Sequence, residues 1–254
     1  MSLYTSGIQK YSLPNDSLTN QLIDSVIKAT SEYTDKSFIS SLDHIHDFVD
    51  DNELNEYRLS IIQKLNYNQF ASKLIFSHCK DILTSILGPD IAIQKNVGLS
   101  IQMPNDSSSL LPIHSDVFSS DCSPYELVIW IPLVKCYKTK SMFYLPFDHC
   151  SSLHEYLHLL SSNNISSIDE FQSKFQNNYK FLEITPPSFA LFYHSIWHGN
   201  VINCEPETRW SINLRVKGLF TPYKGKQIGD YFTIAQISDA TKLSSLIDEI
   251  YYDS

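Results

Sequence analysis

Residues 126–145, ELVIWIPLVKCYKTKSMFYL, hold two β-rich runs, Glu126 to Val134 and Met142 to Leu145, around a polar break. Val, Ile, Trp, Phe and Tyr suit a pleated, half-buried surface better than a helix, so both runs read as strands. Working outward, similar runs occur at Ile91 to Gln94, Val97 to Met103, Phe181 to Thr185, Phe189 to Tyr193 and Arg209 to Val216, separated by Pro, Asn, Asp and Ser clusters. Short strands at such spacing predict a sandwich or barrel. Upstream the period changes. Asp16 and Ser17 are placed to cap a helix carrying Leu22, Ile23, Val26 and Ile27; a second helix is predicted over Glu53 to Leu65. A third, Asn66 to Ile86, puts Phe70, Leu74, Ile75, Ile82 and Leu83 on one face until Gly88 and Pro89 stop it. The stretch from Ser151 to Tyr179 breaks the strand pattern with one short helix and a Ser- and Asn-rich tract, and reads as an insertion over a rim. The expectation is one domain over 1–254, mainly β with helices packed outside: a helical part at 1–90, a β core at 91–221 with an insertion at 151–180, and an extension at 222–254.

With 254 residues, 43% of them hydrophobic, the chain can bury a sizeable core. A net charge of -9 argues against a broad basic surface for nucleic acid or anionic lipid. No basic n-region leads into an apolar run, and no stretch of about 18 apolar residues occurs. No nucleic-acid or membrane partner is therefore expected. The five cysteines are odd in number and contain no C-x-x-C pair, which speaks against a disulfide framework and for a reducing cytoplasm.

Two motifs compete for a metal. His154, Glu155 and His158 spell H-E-x-x-H, the zinc-peptidase pattern, and two histidines at i and i+4 share a helix face. A third ligand is missing downstream, where the sequence runs HLLSSNNISS, and Glu183 lies in a predicted strand instead of a helix. The competing reading is an amphipathic helix with Leu153, Tyr156, Leu157 and Leu160 inward. The second motif is His114-Ser-Asp116. On a strand, residues i and i+2 leave the same face, so an imidazole and a carboxylate converge, and His198 in SFALFYHSIWHGN can complete two histidines and one carboxylate. That set suits non-haem Fe(II) with coordination positions left open. Rarity does not decide between them: roughly 0.01 chance matches are expected for H-E-x-x-H and roughly 0.6 for H-x-D. The surroundings favour the second. Eleven residues after His198 comes Arg209, and alternation puts Arg209, Ser211, Asn213 and Arg215 on one face of a strand. A guanidinium with a neighbouring hydroxyl matches a carboxylate at two points.

These words, with Trp130-Ile-Pro-Leu133, His198-Gly-Asn200 and Asn203, resemble the 2-oxoglutarate/Fe(II)-dependent oxygenases over about residues 91–221. Within them the chain is similar to the phytanoyl-CoA-hydroxylase-like branch. Through Ser123-Pro-Tyr-Glu126 and Thr139-Lys-Ser-Met142 it is similar to the StrG-like oxygenases of bacterial carbohydrate and aminoglycoside gene clusters. Lys140-Ser141 and Pro187-Ser188 depart from that branch's usual Asn-Gly and Gly-Asp. The resemblance implies a double-stranded β-helix (a cupin-like jelly roll) with Fe(II) on His114, Asp116 and His198. It implies 2-oxoglutarate as cosubstrate, its far carboxylate on Arg209 with help from Ser211, and O2 as co-reactant. Trp130, Gln102 and Asn200 are further candidates for the cosubstrate pocket. The implied reaction is hydroxylation of a small polar, sugar-derived or natural-product metabolite with release of succinate and carbon dioxide. Desaturation, epimerisation or ring formation are variants, and the presence of Asp116 disfavours halogenation. A zinc peptidase and a non-catalytic jelly-roll binding domain are the alternatives. His44, His46 and Asp47 lie in the helical part without an identifiable partner, His78 reads as packing or capping, and Lys138 and Lys140 read as solvated loop lysines. Phe192, Tyr193 and Trp197 read as core and pocket wall.

Overall fold

The computed structural model describes residues 3–35, 41–50, 52–119, 121–148, 173 and 176–252. Its strands are β1 (Ile8–Ser12), β2 (Ile91–Gln94), β3 (Gly98–Gln102), β4 (Leu127–Pro132), β5 (Phe143–Leu145), β6 (Lys180–Phe181), β7 (Ser188–Tyr193), β8 (Trp197–Gly199), β9 (Arg209–Gly218) and β10 (Phe232–Gln236). Its helices are α1 (Leu3–Ser6), α2 (Ser17–Thr34), α3 (Leu54–Asn66), α4 (Phe70–Leu87), α5 (Asp116–Ser119) and α6 (Asp239–Tyr252). The main sheet runs β1-β7-β4-β9-β2-β10, with β3 beside β9 as well; a smaller sheet runs β6-β5-β8. The pairings between these strands are antiparallel. This is a jelly roll with flanking helices.

Strand β9 organises the sheet. One edge pairs with β4, from Leu127↔Val216 to Pro132↔Ser211; the other pairs first with β3 and then with β2. Its sequence explains its place. Trp210, Ile212, Leu214 and Val216 are all fully buried, while Arg209, Ser211, Asn213 and Arg215 alternate with them and face a cavity on the other side. The apolar face packs on the helical layer, where the Trp210 ring meets Tyr57 of α3 edge-on at 6.0 Å and its Nε1–H donates to the Leu42 carbonyl at 2.8 Å. Burying a side chain that large removes roughly 200 Å² from water, on the order of 5 kcal/mol.

The helical part is also tied to the start of β9 by polar contacts. A 3-10 turn at Leu42–Asp47 accepts the Thr208 N–H on the Asp43 carbonyl at 2.7 Å, and His46 Nδ1 lies 2.8 Å from the Thr208 hydroxyl. Lys140, expected to be solvated, is instead fully buried, with its ammonium paired to Asp43 and, at 2.7 Å, to Glu207. The partners are distant in sequence, so nothing local marks the residue as interior. Lys138 is exposed as expected.

Other departures are local. Asp16 makes no side-chain cap; the Asn15 carboxamide accepts the Ser17 N–H at 3.0 Å. The helix expected from Asn66 starts at Phe70, because Asn68 and Gln69 take positive φ of 50° and 59° and break the chain away from α3. Phe70 is accordingly 38% exposed instead of inward. The strand expected over Phe181 to Thr185 is only two residues long, followed by an isolated Cys136↔Ile184 bridge. Strands β1 and β10 extend the main sheet at both ends beyond residues 91–221. Among the described residues no helix is long and apolar enough to cross a membrane, and Cys79, Cys122, Cys136 and Cys204 are free thiols.

Candidate metal centre

His114 and His198 are brought together by backbone pairing. Each donates its N–H to the other's carbonyl at 2.9 Å, an isolated antiparallel bridge beside β8. Directly opposed residues in such a pair project to the same side. The two imidazole centroids are 4.4 Å apart. Their Nδ1 atoms lie beside the carbonyls two residues earlier, His114 with Pro112 at 2.8 Å and His198 with Ile196 at 3.2 Å. An Nδ1–H donating there leaves Nε2 as the lone-pair atom, the tautomer a metal ligand needs.

Asp116 arrives differently from the expectation. His114 and Asp116 are not successive inward residues of one strand; the bridge ends and Asp116 opens the single turn α5. The carboxylate still reaches the imidazoles, with Oδ1 4.0 Å from His114 Nε2, and the donor atoms of His114, Asp116 and His198 all lie within 4.8 Å of one another. Burial alone would raise the Asp116 carboxyl, but His198 and Arg215 outweigh it and hold it below the ordinary range. Burial lowers His198 to about 4, with the neighbouring His114 contributing. Neutral imidazole and ionised carboxylate are the forms that bind a divalent cation, and these shifts favour them at His198 and Asp116.

The three side chains open on a cavity of about 360 Å³ between the two sheets. Trp130 and Val128 of β4 and Phe192 of β7 form apolar wall; Ser211, Asn213 and Arg215 of β9 form polar wall. Arg209 also lines it. Its side chain is almost fully buried, NH2 donates to the Ser100 hydroxyl at 2.5 Å, and neither Nε nor NH1 has a hydrogen-bond partner. Among the described residues no carboxylate lies within ion-pair distance, and burial lowers its pKa. The Ser211 hydroxyl beside it on the same face is buried and equally without a partner. Two donors of a buried cation and a neighbouring hydroxyl left open are the features of a receptor for an anion.

Arg215, on the same face, is already engaged. NH2 is 3.4 Å from Asp116 Oδ1 and NH1 donates to the Tyr231 hydroxyl at 2.9 Å. Burial would lower its pKa, but Asp116 and Tyr231 hold it above the usual value.

The remaining candidates divide. Asn200 lines the cavity, its amide group receiving Leu111 N–H at 2.5 Å and donating to the Ser109 carbonyl at 3.0 Å, so it fastens the 109–111 segment over the centre. Gln102 lies outside the lining; its amide donates to the Val201 carbonyl at 2.7 Å and ties β3 to the loop after β8. Phe192 packs edge-on to the His198 ring at 5.1 Å, and Trp197 is buried. His44, His46 and Asp47 come together at the surface, but His46 is used by Thr208. His78 holds the Leu74 carbonyl within α4 at 3.0 Å. The H-E-x-x-H segment at residues 154–158 lies outside the described residues, and Glu183 is exposed. Ser100, Gln94 and Tyr231 carry no mark of a site in the sequence; Ser100 and Gln94 occupy β-runs whose cavity-facing positions become assignable only once they are paired with β9.

Solved structures share this architecture. A nickel complex of ThoJ, described as a non-heme monooxygenase, is 12% identical, with 94% of this chain and 84% of that chain covered at a TM-score of 0.60. EctD from S. alaskensis with bound Fe is 12% identical, covering 87% and 76% at 0.52. SnoN, a non-heme alpha ketoglutarate dependent epimerase from nogalamycin biosynthesis, is 12% identical, covering 92% and 95% at 0.50. The chain shares its fold with these three proteins. No family model and no curated protein matches the chain.

Proposed function

We propose that this protein is a non-haem Fe(II)- and 2-oxoglutarate-dependent oxygenase. The observation that carries the reading is the pairing, in one cavity, of a His114-Asp116-His198 donor set with a buried Arg209 that lacks an anion. Two neutral imidazoles and a carboxylate fit a ferrous ion and leave positions for a chelating cosubstrate. The far carboxylate of 2-oxoglutarate fits Arg209 Nε and NH1 with the Ser211 hydroxyl, all three of which are otherwise unsatisfied. When bound, iron and cosubstrate supply the oxidising power to functionalise an unactivated C–H bond with O2, releasing succinate and carbon dioxide.

The chain's own residues do the rest. His114 and His198 present Nε2 because their Nδ1 atoms are held by backbone carbonyls. Arg215 steadies Asp116. Trp130, Val128 and Phe192 keep water from the cosubstrate's hydrocarbon segment. The substrate is a small polar metabolite, sugar-derived or a natural product, taken into the same cavity, whose lining includes Leu111, Met142 and Tyr231. Within the superfamily the chain sits with the phytanoyl-CoA-hydroxylase-like branch, near the StrG-like group, and works in the cytoplasm; the resemblance of residues 113–146 supports that placement.

Anaerobic reconstitution with Fe(II) and 2-oxoglutarate, followed by O2 and measurement of succinate, tests the reading. Background succinate from the parent, loss in Asp116→Ala and a raised 2-oxoglutarate requirement in Arg209→Ala are expected. A parent that neither binds 2-oxoglutarate nor forms succinate overturns it.

A further inference from the structure

Beyond the cavity wall, a second set of ionisable side chains is buried without solvent. His194, immediately after β7, and Glu126, immediately before β4, are both fully buried. His194 Nε2 is 3.9 Å from Asp116 Oδ2, and its Nδ1 is 3.5 Å from Glu126 Oε2. Neither ring nitrogen nor Glu126 Oε2 has a hydrogen-bond partner. The backbone around them is fixed: the His194 carbonyl accepts the Ser115 hydroxyl at 2.9 Å and the Val117 N–H at 3.4 Å, so it grips Asp116 from both sides, while the His194 N–H donates to the Glu126 carbonyl at 3.3 Å.

Cys122 lies with these two residues, and the three donor atoms fall within 4.8 Å of one another, as in a metal site. Electrostatics opposes a cation there. Lys226 donates to Cys122 Sγ at 3.2 Å, Lys217 stands 4.0 Å from Glu126 Oε1, and Arg215 is close enough to act on Cys122 and Glu126. Three positive side chains already crowd the glutamate and the thiol.

The two oxygens of Asp116 are instead divided between different neighbours. Oδ1 faces His114 Nε2 and Arg215; Oδ2 faces His194. We propose that His194 is a positioning residue for the metal centre, its Nε2–H directed to Asp116 Oδ2 so that Oδ1 is presented with the two ligand imidazoles, and that Glu126 holds the far side of the ring. Asp116, as an ionised ligand, only accepts and so meets Nε2–H; Nδ1 is then an acceptor, and Glu126, whose carboxyl is pushed up by burial, meets it as the protonated acid. Burial, which holds His194 down at about 3, is consistent with this neutral ring. The inference rests on the reading of His114, Asp116 and His198 as metal ligands.

The test uses Mn(II) alone, added anaerobically to metal-free protein and followed by loss of the free-ion EPR signal. Glutamine places its amide nitrogen near the Nε2 position of histidine, whereas asparagine places it near Nδ1. His194→Gln is therefore expected to bind Mn(II) within a few-fold of the parent. His194→Asn and His194→Leu are expected to weaken it by about 10- to 100-fold, the usual consequence of losing an outer partner of a ligand. Melting of the metal-free variants separates this from packing: a structural role would lower the Gln and Asn melts alike and leave their Mn(II) affinities equal. Equal affinities in Gln and Asn, or parent-like affinity in Leu, overturn the proposal. If Leu does not fold, the Gln and Asn pair decides alone. Two Mn(II) per parent chain, falling to one in Glu126→Gln, would make the cluster a second metal site and also overturn it. If the parent binds no Mn(II), the metal-ligand reading falls as well; if it binds and Asp116→Ala does not, while all His194 variants match the parent, only this inference falls.

Discussion

Replacing Arg209 with methionine should make the metal-free protein more stable while weakening 2-oxoglutarate. The buried guanidinium leaves Nε and NH1 unsatisfied, and each buried donor without a partner costs about 1–3 kcal/mol. Methionine of similar length removes both orphans and the charge. It also gives up the charge-assisted bond to Ser100, a loss of about 2 kcal/mol that offsets roughly half the gain. The net is a stabilisation of about 2 kcal/mol, or a melting point raised by about 4–8 °C in a domain of this size. With Mn(II) and 2-oxoglutarate present the order should reverse. Losing two charge-assisted bonds to the far carboxylate, about 3 kcal/mol together, weakens the cosubstrate by on the order of 150-fold. Urea melts of both proteins with and without ligands, beside calorimetric titration of 2-oxoglutarate, measure the two effects. An Arg209→Met protein that melts below the parent when metal-free, or binds 2-oxoglutarate equally well, refutes the reasoning.

Gly199→Ala places a Cβ 2.8 Å from the Leu111 carbonyl and 2.8 Å from the Phe143 ring, so β8 must shift; a loss of about 1–3 kcal/mol in urea stability is expected, with weaker Mn(II) binding by EPR. Lys140→Met leaves Asp43 and Glu207 facing each other without their cation and should cost about 3 kcal/mol in the same melts. The buried His194 and half-buried His198 imidazoles set a pH dependence. His194 and His198 are lowered by burial to about 3 and about 4, below the ordinary value of about 6.5. The unfolded chain therefore binds more protons at these positions, and metal-free stability should rise with pH from about 4 to about 6.5 and level off above. A urea midpoint that is flat across that window would contradict the desolvation of both rings.

Strand β9 was legible because its two periods are chemically distinct: Trp210, Ile212, Leu214 and Val216 alternate with Arg209, Ser211, Asn213 and Arg215. Strand β4 was legible by composition alone, since both of its faces are covered. Strand β1 was not, as Gln9, Lys10 and Ser12 of an outermost strand carry no apolar alternation. The three candidate ligands could be named from chemistry and spacing, but their meeting depends on the His114↔His198 bridge, a single residue pair with no periodic signature. Lys140 and the Glu126–His194 pair were hidden for another reason. Their interior position is set by partners 67 to 97 residues away, and a charged residue beside a β-run gives no local sign of which way it turns.

The central position of β9 bears on the birth of the molecule. Its partners β2, β3 and β4 are all synthesised before it, so a growing chain must hold a slot open between them until residues 209–218 leave the ribosome. Until then three strand ledges lie unpaired, the kind of surface that recruits other chains. Cosubstrate offers no help at that stage, because the guanidinium that would greet it arrives only with β9 itself. Chaperone holding of the nascent chain, and insolubility of fragments ending before residue 209, follow from this order of assembly.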